Sequence, residues 1–187
     1  VVKYSLTLPS SQNAIHLLPI WEPGVVGSLY GMSSWRLNVE FFSQELAELL
    51  PHLDTVEKQL RGVVNILHLA GRAVGMDVVP HTDRFSEMAF IYPEYYEWLQ
   101  REDVTIVSHR EYLHEEVQEK IYQFVTKAGT GDEDVLLPKS ADELFSPQFS
   151  EEERELVILG PPSERGLRNK RRVALVRYIS QYGYEPV

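Results

Sequence analysis

The amino-acid sequence predicts an α/β fold. Near-continuous apolar runs, of the kind that form strands buried on both faces, alternate with segments of helical periodicity. Between residues 14 and 79 a strand, a helix and a second strand follow one another as a βαβ unit, a crossover that is almost always right-handed. The third observation is size. With 187 residues and five or six strand-like runs, the chain falls short of the roughly 250 residues typical of a closed eight-fold barrel. It fits part of such a barrel or a small open sheet.

Residues 2–8 alternate weakly and stop at Pro9-Ser10-Ser11, which predicts a short strand and a turn. Residues 14–20, Ala-Ile-His-Leu-Leu-Pro-Ile, predict a buried strand whose pairing ends near Pro19. Pro23-Gly24 opens a loop expected to run to about Asn38. Over 38–50, Val39, Phe42, Leu46, Leu49 and Leu50 recur at helical spacing until Pro51 stops them. Asp54 or Thr55 is placed to cap the next helix. In it Val56, Leu60, Val63, Val64, Leu67 and Ala70 line one face, and Gly71 closes the end. Residues 73–79 supply the second strand of the unit. Beyond it, 85–100 is rich in aromatics and broken by Pro93, which predicts a loop and then a helix from Glu94. Residues 104–107 predict a strand. Residues 111–127 predict an amphipathic helix with Leu113, Val117, Ile121, Phe124 and Val125 on one side. A polar break at 129–134 and a mostly acidic loop at 140–155 lead to a predicted strand at 156–159. A helix over 168–181 and the start of one more strand at 184–187 complete the reading.

Composition narrows the classes of partner. The chain carries 28 acidic and 18 basic side chains, a net charge of −10. So acidic a surface gives no counterion-release drive onto a phosphate backbone, and nucleic acid is not an expected partner. The basic stretch Arg165, Arg168, Lys170, Arg171 and Arg172 lies on a predicted helix without interleaved aromatics, and reads as a solvated face. The acidic run at 151–155 reads likewise as the solvated start of a helix. No apolar run reaches the ~18 residues of a membrane span, so no membrane partner is expected. Cysteine is absent, which excludes thiolate metal sites and a cysteine nucleophile. His52, His68, His109 and His114 show no spacing suited to a metal, and neither metal nor cofactor is expected. There is no Gly-rich phosphate loop and no Gly-x-Ser-x-Gly elbow. The chain starts at Val1 and stops at Val187 within an apolar stretch, and is expected to be a portion of a longer protein.

In parallel α/β proteins, functional groups gather just past the carboxyl ends of strands. That rule selects two clusters. After residues 14–20 come Trp21, Glu22, Tyr30 and Trp35; after 73–79 come His81, Thr82, Asp83, Arg84 and Glu87, with Asp77 inside the strand. Aromatic rings with interspersed carboxylates suit a sugar, whose C–H faces pack on rings while its hydroxyls need polar partners. The same rings also serve simply to cover a core edge. Asp77 is the most informative residue, because a carboxylate inside an apolar strand needs a partner. Either it forms a structural ion pair with Arg72 or Arg84, or it belongs to an active site. His81 lies just beyond it, where an imidazole could reach a substrate hydroxyl or Asp77. His16, inside an apolar run, reads as a satisfied interior histidine.

At these two clusters the chain resembles the α-amylase superfamily, glycoside hydrolase family 13. Leu17-Leu18-Pro19-Ile20-Trp21-Glu22-Pro23, followed by Leu29-Tyr30-Gly31-Met32-Ser33-Ser34-Trp35, is similar to that family's Pro-hydrophobic-aromatic strand end and its Gly-Tyr-Asp-Ile-Ser-Asp-Tyr loop. Gly75-Met76-Asp77-Val78-Val79-Pro80-His81-Thr82 resembles the strand motif Asp-x-Val-x-Asn-His, with one residue missing. His81 matches either the family histidine after a deletion or the family asparagine, which commonly helps to bind calcium. The match covers roughly the first 100 residues.

The resemblance implies a partial (β/α)8 barrel, a fragment of a larger catalytic domain. Residues 1–187 would form a single α/β domain or part-domain, with barrel strands one to three in 1–82 and less regular helices and strands in 83–187. It implies a carbohydrate partner and a parent that hydrolyses or transfers α-linked glucosides by a retaining mechanism. Tyr30 would stack on the reacting sugar, Trp21 and Trp35 would help to bind substrate, Asp77 would support the catalytic centre and His81 would bond a sugar hydroxyl. The family nucleophile is the Asp of a Gly-x-Arg-x-Asp motif; Gly166-Leu167-Arg168-Asn169-Lys170 imitates it with Lys170 in the nucleophile's place. Retention needs two carboxyl groups about 5–5.5 Å apart, and no such pair is readable here, so this chain alone is expected to be inactive. The rival expectation is a non-catalytic descendant that binds glycans or a protein partner.

Overall fold

The computed structural model describes residues 1–24, 27–78 and 82–187. The chain is α/β and divides into two compact units, Val1–Asp83 and Arg84–Val187. No sheet closes into a barrel among the described residues: the sheets have two, two and three strands.

The first unit is built around the βαβ succession. Strand β1 (Ala14–Leu17) pairs in parallel with β4 (Ala73–Met76), in the register Ala14↔Ala73 to Leu17↔Met76. Helix α3 (Val56–Leu69) crosses between them. Thr55 caps it by accepting the Lys58 N–H at 3.3 Å, while Gly71, at φ +73°, lets the chain reverse into β4. The expected apolar face is in place in part: Leu67 is fully buried, Val56 packs with Ile20 and Leu37, and Leu60, Val63 and Val64 are half-buried, while Ala70 is exposed past the helix end. The two strands are not buried on both faces, however. Only Ile15 of β1 is buried, and β4 has no buried residue, because a two-stranded ribbon leaves its outer side chains exposed.

Three expectations for this unit are corrected. Residues 2–8 form helix α1 (Val2–Thr7), not a strand. The Ser5 and Thr7 hydroxyls donate to the carbonyls of Val2 and Tyr4, each at 2.7 Å, and such local bonds suit a helical turn. The loop expected from Pro23 to Asn38 contains a hairpin, β2 (Trp21–Pro23) antiparallel to β3 (Met32–Leu37), with Met32, Ser33 and Ser34 buried. The single helix expected over 38–50 is a 3-10 turn, Val39–Phe41, followed by α2 (Gln44–Leu49). Asn38 and Ser43 each accept a backbone N–H, from Glu40 and Leu46, and so start two short elements in place of one. Buried Gln59 ties this region to α3, its amide bonding Ser43 N, Ser43 O and Leu53 O at 2.8–3.0 Å.

The second unit packs helices on an antiparallel sheet. Its elements are α4 (Glu87–Ile91), a 3-10 turn at Pro93–Tyr95, β5 (Trp98–Glu102), β6 (Thr105–Ser108), α5 (Leu113–Ala128), α6 (Ala141–Leu144), α7 (Glu151–Ile158), α8 (Arg165–Ser180) and β7 (Tyr184–Pro186). The sheet order is β6-β5-β7, antiparallel throughout. Parallel pairing of strands is thus confined to the first unit. The predicted face of α5 supplies Leu113, Val117, Ile121, Phe124 and Val125 to the core, against Phe90, Val157, Ile158, Leu175 and Ile179.

Here too the structure differs from expectation. The helix expected from Glu94 is one 3-10 turn and then a strand; the Trp98 indole N–H donates to Pro93 O at 2.9 Å and draws the chain across the core. The acidic stretch 140–155 holds α6 and most of α7, and the strand expected at 156–159 is the end of α7 with its cap. Ser150 caps that helix, so Glu151–Glu153 form its exposed first turn as expected, while Arg154 is buried and donates to the carbonyls of Ile91, Leu144 and Ser146. Arg168 is not on a solvated face. It is 1% exposed, donates to Gly160 O, and pairs with Glu87 at 2.7 Å and with Glu155. No helix among the described residues is long and apolar enough to cross a membrane.

Candidate functional site

The carboxyl ends of β1 and β4 bring together residues far apart in sequence. The Asp77 N–H continues the parallel pairing by donating to Leu17 O at 3.0 Å, so Asp77 lies just past β4. Its carboxylate accepts two bonds. His16 Nε2–H donates to Oδ1 at 2.6 Å and the Tyr30 hydroxyl donates to Oδ2 at 3.2 Å. No ion pair with Arg72, one of the two expected partners, is seen among the described residues of this unit. Arg72 instead donates to the carbonyls of Leu8 and Gln12, and Arg84 meets Glu185 at 3.6 Å.

Tyr30 sits in the turn of the β2–β3 hairpin, one residue before Gly31. Its N–H donates to Ser28 Oγ at 3.2 Å, and Gly24 N to Gly31 O at 2.6 Å closes the base of the turn. Gly24 is required there, because a Cβ would lie 2.4 Å from Asp83 Cβ and 2.6 Å from Gly31 O. A bridge between Met32 and Thr82, with Asp83 N bonded to Met32 O at 2.8 Å, joins this hairpin to the chain that follows β4. The Tyr30 ring is left about half exposed.

Trp21 and Trp35 meet edge to face, with ring centroids 5.3 Å apart. Trp35 remains 42% exposed, and the Trp21 indole N–H has no hydrogen-bond partner among the described residues. Glu22 accepts from Ser34 Oγ at 2.8 Å and faces Arg36 at 3.6 Å, which ties it into the hairpin. His81, with Val79 and Pro80, lies outside the described residues. Beside the cluster, His16 also lines an apolar cavity of about 500 Å³ whose walls include Leu18, Leu29, Phe41, Leu60 and Val63. No group of three metal-ligating side chains occurs among the described residues.

His16 is the residue that sequence reasoning misplaced. It is 61% exposed at the side chain, not interior. The signal lay in the pairing register: with His16 opposite Gly75, a carboxylate two residues past that glycine falls within reach of the ring.

The electrostatics follow from these bonds. The His16 hydrogen bond, and then the one from Tyr30, hold the Asp77 carboxyl below its ordinary value of 3.8 against partial desolvation. The bond to Asp77 pushes the Tyr30 phenol above its ordinary 10.0, helped by burial and by the negative charge itself. A lowered carboxyl contributes stability in full above its unfolded value and loses it as pH falls through the folded one. A raised phenol contributes below its unfolded value and loses it as pH rises through the folded one. The arrangement is therefore expected to persist from below pH 3.8 to above pH 10.0. In an Asp77→Asn variant, the Tyr30 ring carbons followed by NMR should titrate nearer the ordinary phenol value. Titration unchanged from wild type would show that the bond is not made in solution.

Comparisons with protein-family models, with curated proteins and with solved structures return no match to this chain.

Proposed function

We propose that the chain is the front portion of an α-amylase-like (β/α)8 barrel and that the Tyr30–Asp77 cluster is half of a binding site for α-linked glucosides. The observation that carries the reading is the hydrogen bond between Tyr30 and Asp77. It joins the two sequence clusters that resemble the family, across 47 residues, at the carboxyl ends of adjacent parallel strands, where α/β proteins place their functional groups. Tyr30 offers a half-exposed ring for a sugar face, Trp35 offers a second, and His81 follows within the same segment.

The chain binds but does not turn over by itself. Both oxygens of Asp77 are engaged, one by His16 and one by Tyr30, which suits a group that orients neighbours better than one that attacks or protonates. Retaining hydrolysis needs a nucleophile and an acid about 5–5.5 Å apart; on this reading they come from sequence beyond residue 187. The same engagement of Asp77 also favours the second reading, a non-catalytic glycan-binding descendant, for which no further carboxylates are needed.

The test is titration of maltotetraose into the 187-residue chain by NMR. Binding in the millimolar range is expected, and Tyr30→Ala should weaken it about tenfold, near the upper end of what one aromatic stacking contact contributes. Asp77→Ala should weaken it less, by releasing Tyr30. No glucose release is expected from any of these chains. Absence of binding, or affinity indifferent to Tyr30, would overturn the assignment.

A further inference from the structure

We infer that His16, seated on the bare backbone of Gly75, is the positioning residue that holds the Asp77 carboxylate in place and through it orients the Tyr30 ring. Asp77 follows the last residue of β4; its N–H bond to Leu17 O fixes the backbone there, while the orientation of the carboxylate depends on what bonds its two oxygens. His16 makes the shorter of the two bonds, 2.6 Å against 3.2 Å for Tyr30. Since a carboxylate can only accept, the imidazole must carry its hydrogen on Nε2, which leaves Nδ1 turned toward β4.

Gly75 is the second, independent observation. It is the register partner of His16. A Cβ at position 75 would lie 2.9 Å from His16 Nδ1, 3.6 Å from Cε1 and 3.9 Å from Cγ. The absence of a side chain there is what lets the ring lie across the neighbouring strand and reach Asp77. Gly75 has no positive φ, so backbone conformation does not call for a glycine. Room for the imidazole does. Histidine, glycine and aspartate on two strands thus form one device, and its product is a fixed tyrosyl ring at the strand ends.

The part of this inference that concerns ligand binding rests on the α-glucoside reading; the positioning of Asp77 and Tyr30 does not. The pair is solvent-exposed, and exposed pairs of this kind contribute little, so the expected effect on affinity is about three- to fivefold.

The experiment uses the 187-residue chain and four variants: His16→Ala, His16→Gln, Gly75→Ala and the double variant His16→Ala/Gly75→Ala. Asp77 carboxyl titration and the Tyr30 ring resonances are followed by NMR without ligand, and maltotetraose affinity is measured separately. His16→Ala should move the Asp77 titration up toward its ordinary value, shift the Tyr30 resonances and weaken maltotetraose three- to fivefold. His16→Gln, which keeps a donor at similar reach, should retain affinity within twofold. Gly75→Ala should reproduce His16→Ala with the histidine still present. The double variant has no ring to displace, and so should fold and behave as His16→Ala does. An Asp77 titration and Tyr30 resonances unmoved in His16→Ala would overturn the inference, as would Gly75→Ala indistinguishable from wild type. Movement of both with unchanged affinity would remove His16 from ligand binding. If the wild-type chain binds no maltotetraose, the glucoside reading fails, while the ligand-free readouts still decide the role of His16.

Discussion

Replacing Arg168 by alanine is expected to destabilise the second unit by about 3–5 kcal/mol, the cost of breaking a buried ion pair from one side. The guanidinium is 1% exposed and Glu87, its partner at 2.7 Å, is 8% exposed. Glu155 shares the Nη2 donor with Glu87, and the Gly160 carbonyl accepts from Nη1. Removing the cation leaves the Glu87 carboxylate buried with its main counter-charge gone, in a place that water does not readily reach. Thermal unfolding followed by circular dichroism should show a loss of more than about 10 °C for a unit of this size. The double variant Arg168→Met/Glu87→Gln should be less destabilised than Arg168→Met alone, because it removes the buried carboxylate charge along with the guanidinium that faces it. A loss in Arg168→Ala below about 1 kcal/mol, the range of exposed pairs, would mean that the pair is hydrated in solution. Residues 165–172 would then be the solvated face that their composition suggests.

Gly183→Ala is expected to cost about 2–5 kcal/mol, combining the strain of a left-handed backbone with overpacking. Gly183 ends the turn after α8 at φ +78°, and a Cβ there would lie 1.9 Å from the Arg101 carbonyl oxygen. The backbone cannot withdraw freely, because Arg101 N–H donates to Gly183 O at 2.8 Å as β7 joins β5. Hydrogen exchange should accordingly rise first at the β5–β7 pairing, where Val187 N–H is bonded to Glu97 O. Gly166→Ala is the control. Nothing lies within 4 Å of its Cβ direction, and in a helix the change should be neutral or stabilising by up to about 1 kcal/mol. Equal effects at the two glycines, read from urea unfolding, would refute the steric account.

The long helices were legible for a physical reason. Helix α3 spans Val56–Leu69 and α5 spans Leu113–Ala128, long enough for the 3.6-residue period to repeat several times and separate from chance. Their ends were legible where a side chain or a glycine acts locally, as Thr55 and Gly71 do. Short elements carry no such redundancy. Residues 2–8 and 156–159 are apolar runs that either a strand or a helix could use; packing of Val157, Ile158 and Leu159 into the core of the second unit settled the latter as helix. The hairpin β2–β3 went unread because its strands are brief and its pairing shifts register twice.

The candidate site was half legible. Tyr30, Trp21 and Trp35 were selected by position after a strand-like run and Asp77 as a carboxylate inside one, and the structure places Asp77 and Tyr30 in one hydrogen-bonded group. Trp21 and Trp35 pair with each other. His16 was misassigned because its partner lies 61 residues away, and apolar neighbours in sequence say nothing about which strand will lie alongside.

By itself the sequence determined the α/β class, the two long amphipathic helices, the βαβ succession and a net charge of −10. Those properties depend on composition or on periodicity summed over many neighbouring residues. Only the tertiary structure decided that β1 and β4 pair in the register that seats His16 on Gly75, and that the sheet of the second unit is antiparallel. It also decided that Arg168, within the most basic stretch of the chain, is buried between Glu87 and Glu155. Each of these is a contact between segments distant in sequence, and such contacts are chosen by the packing of the whole unit rather than by any local pattern.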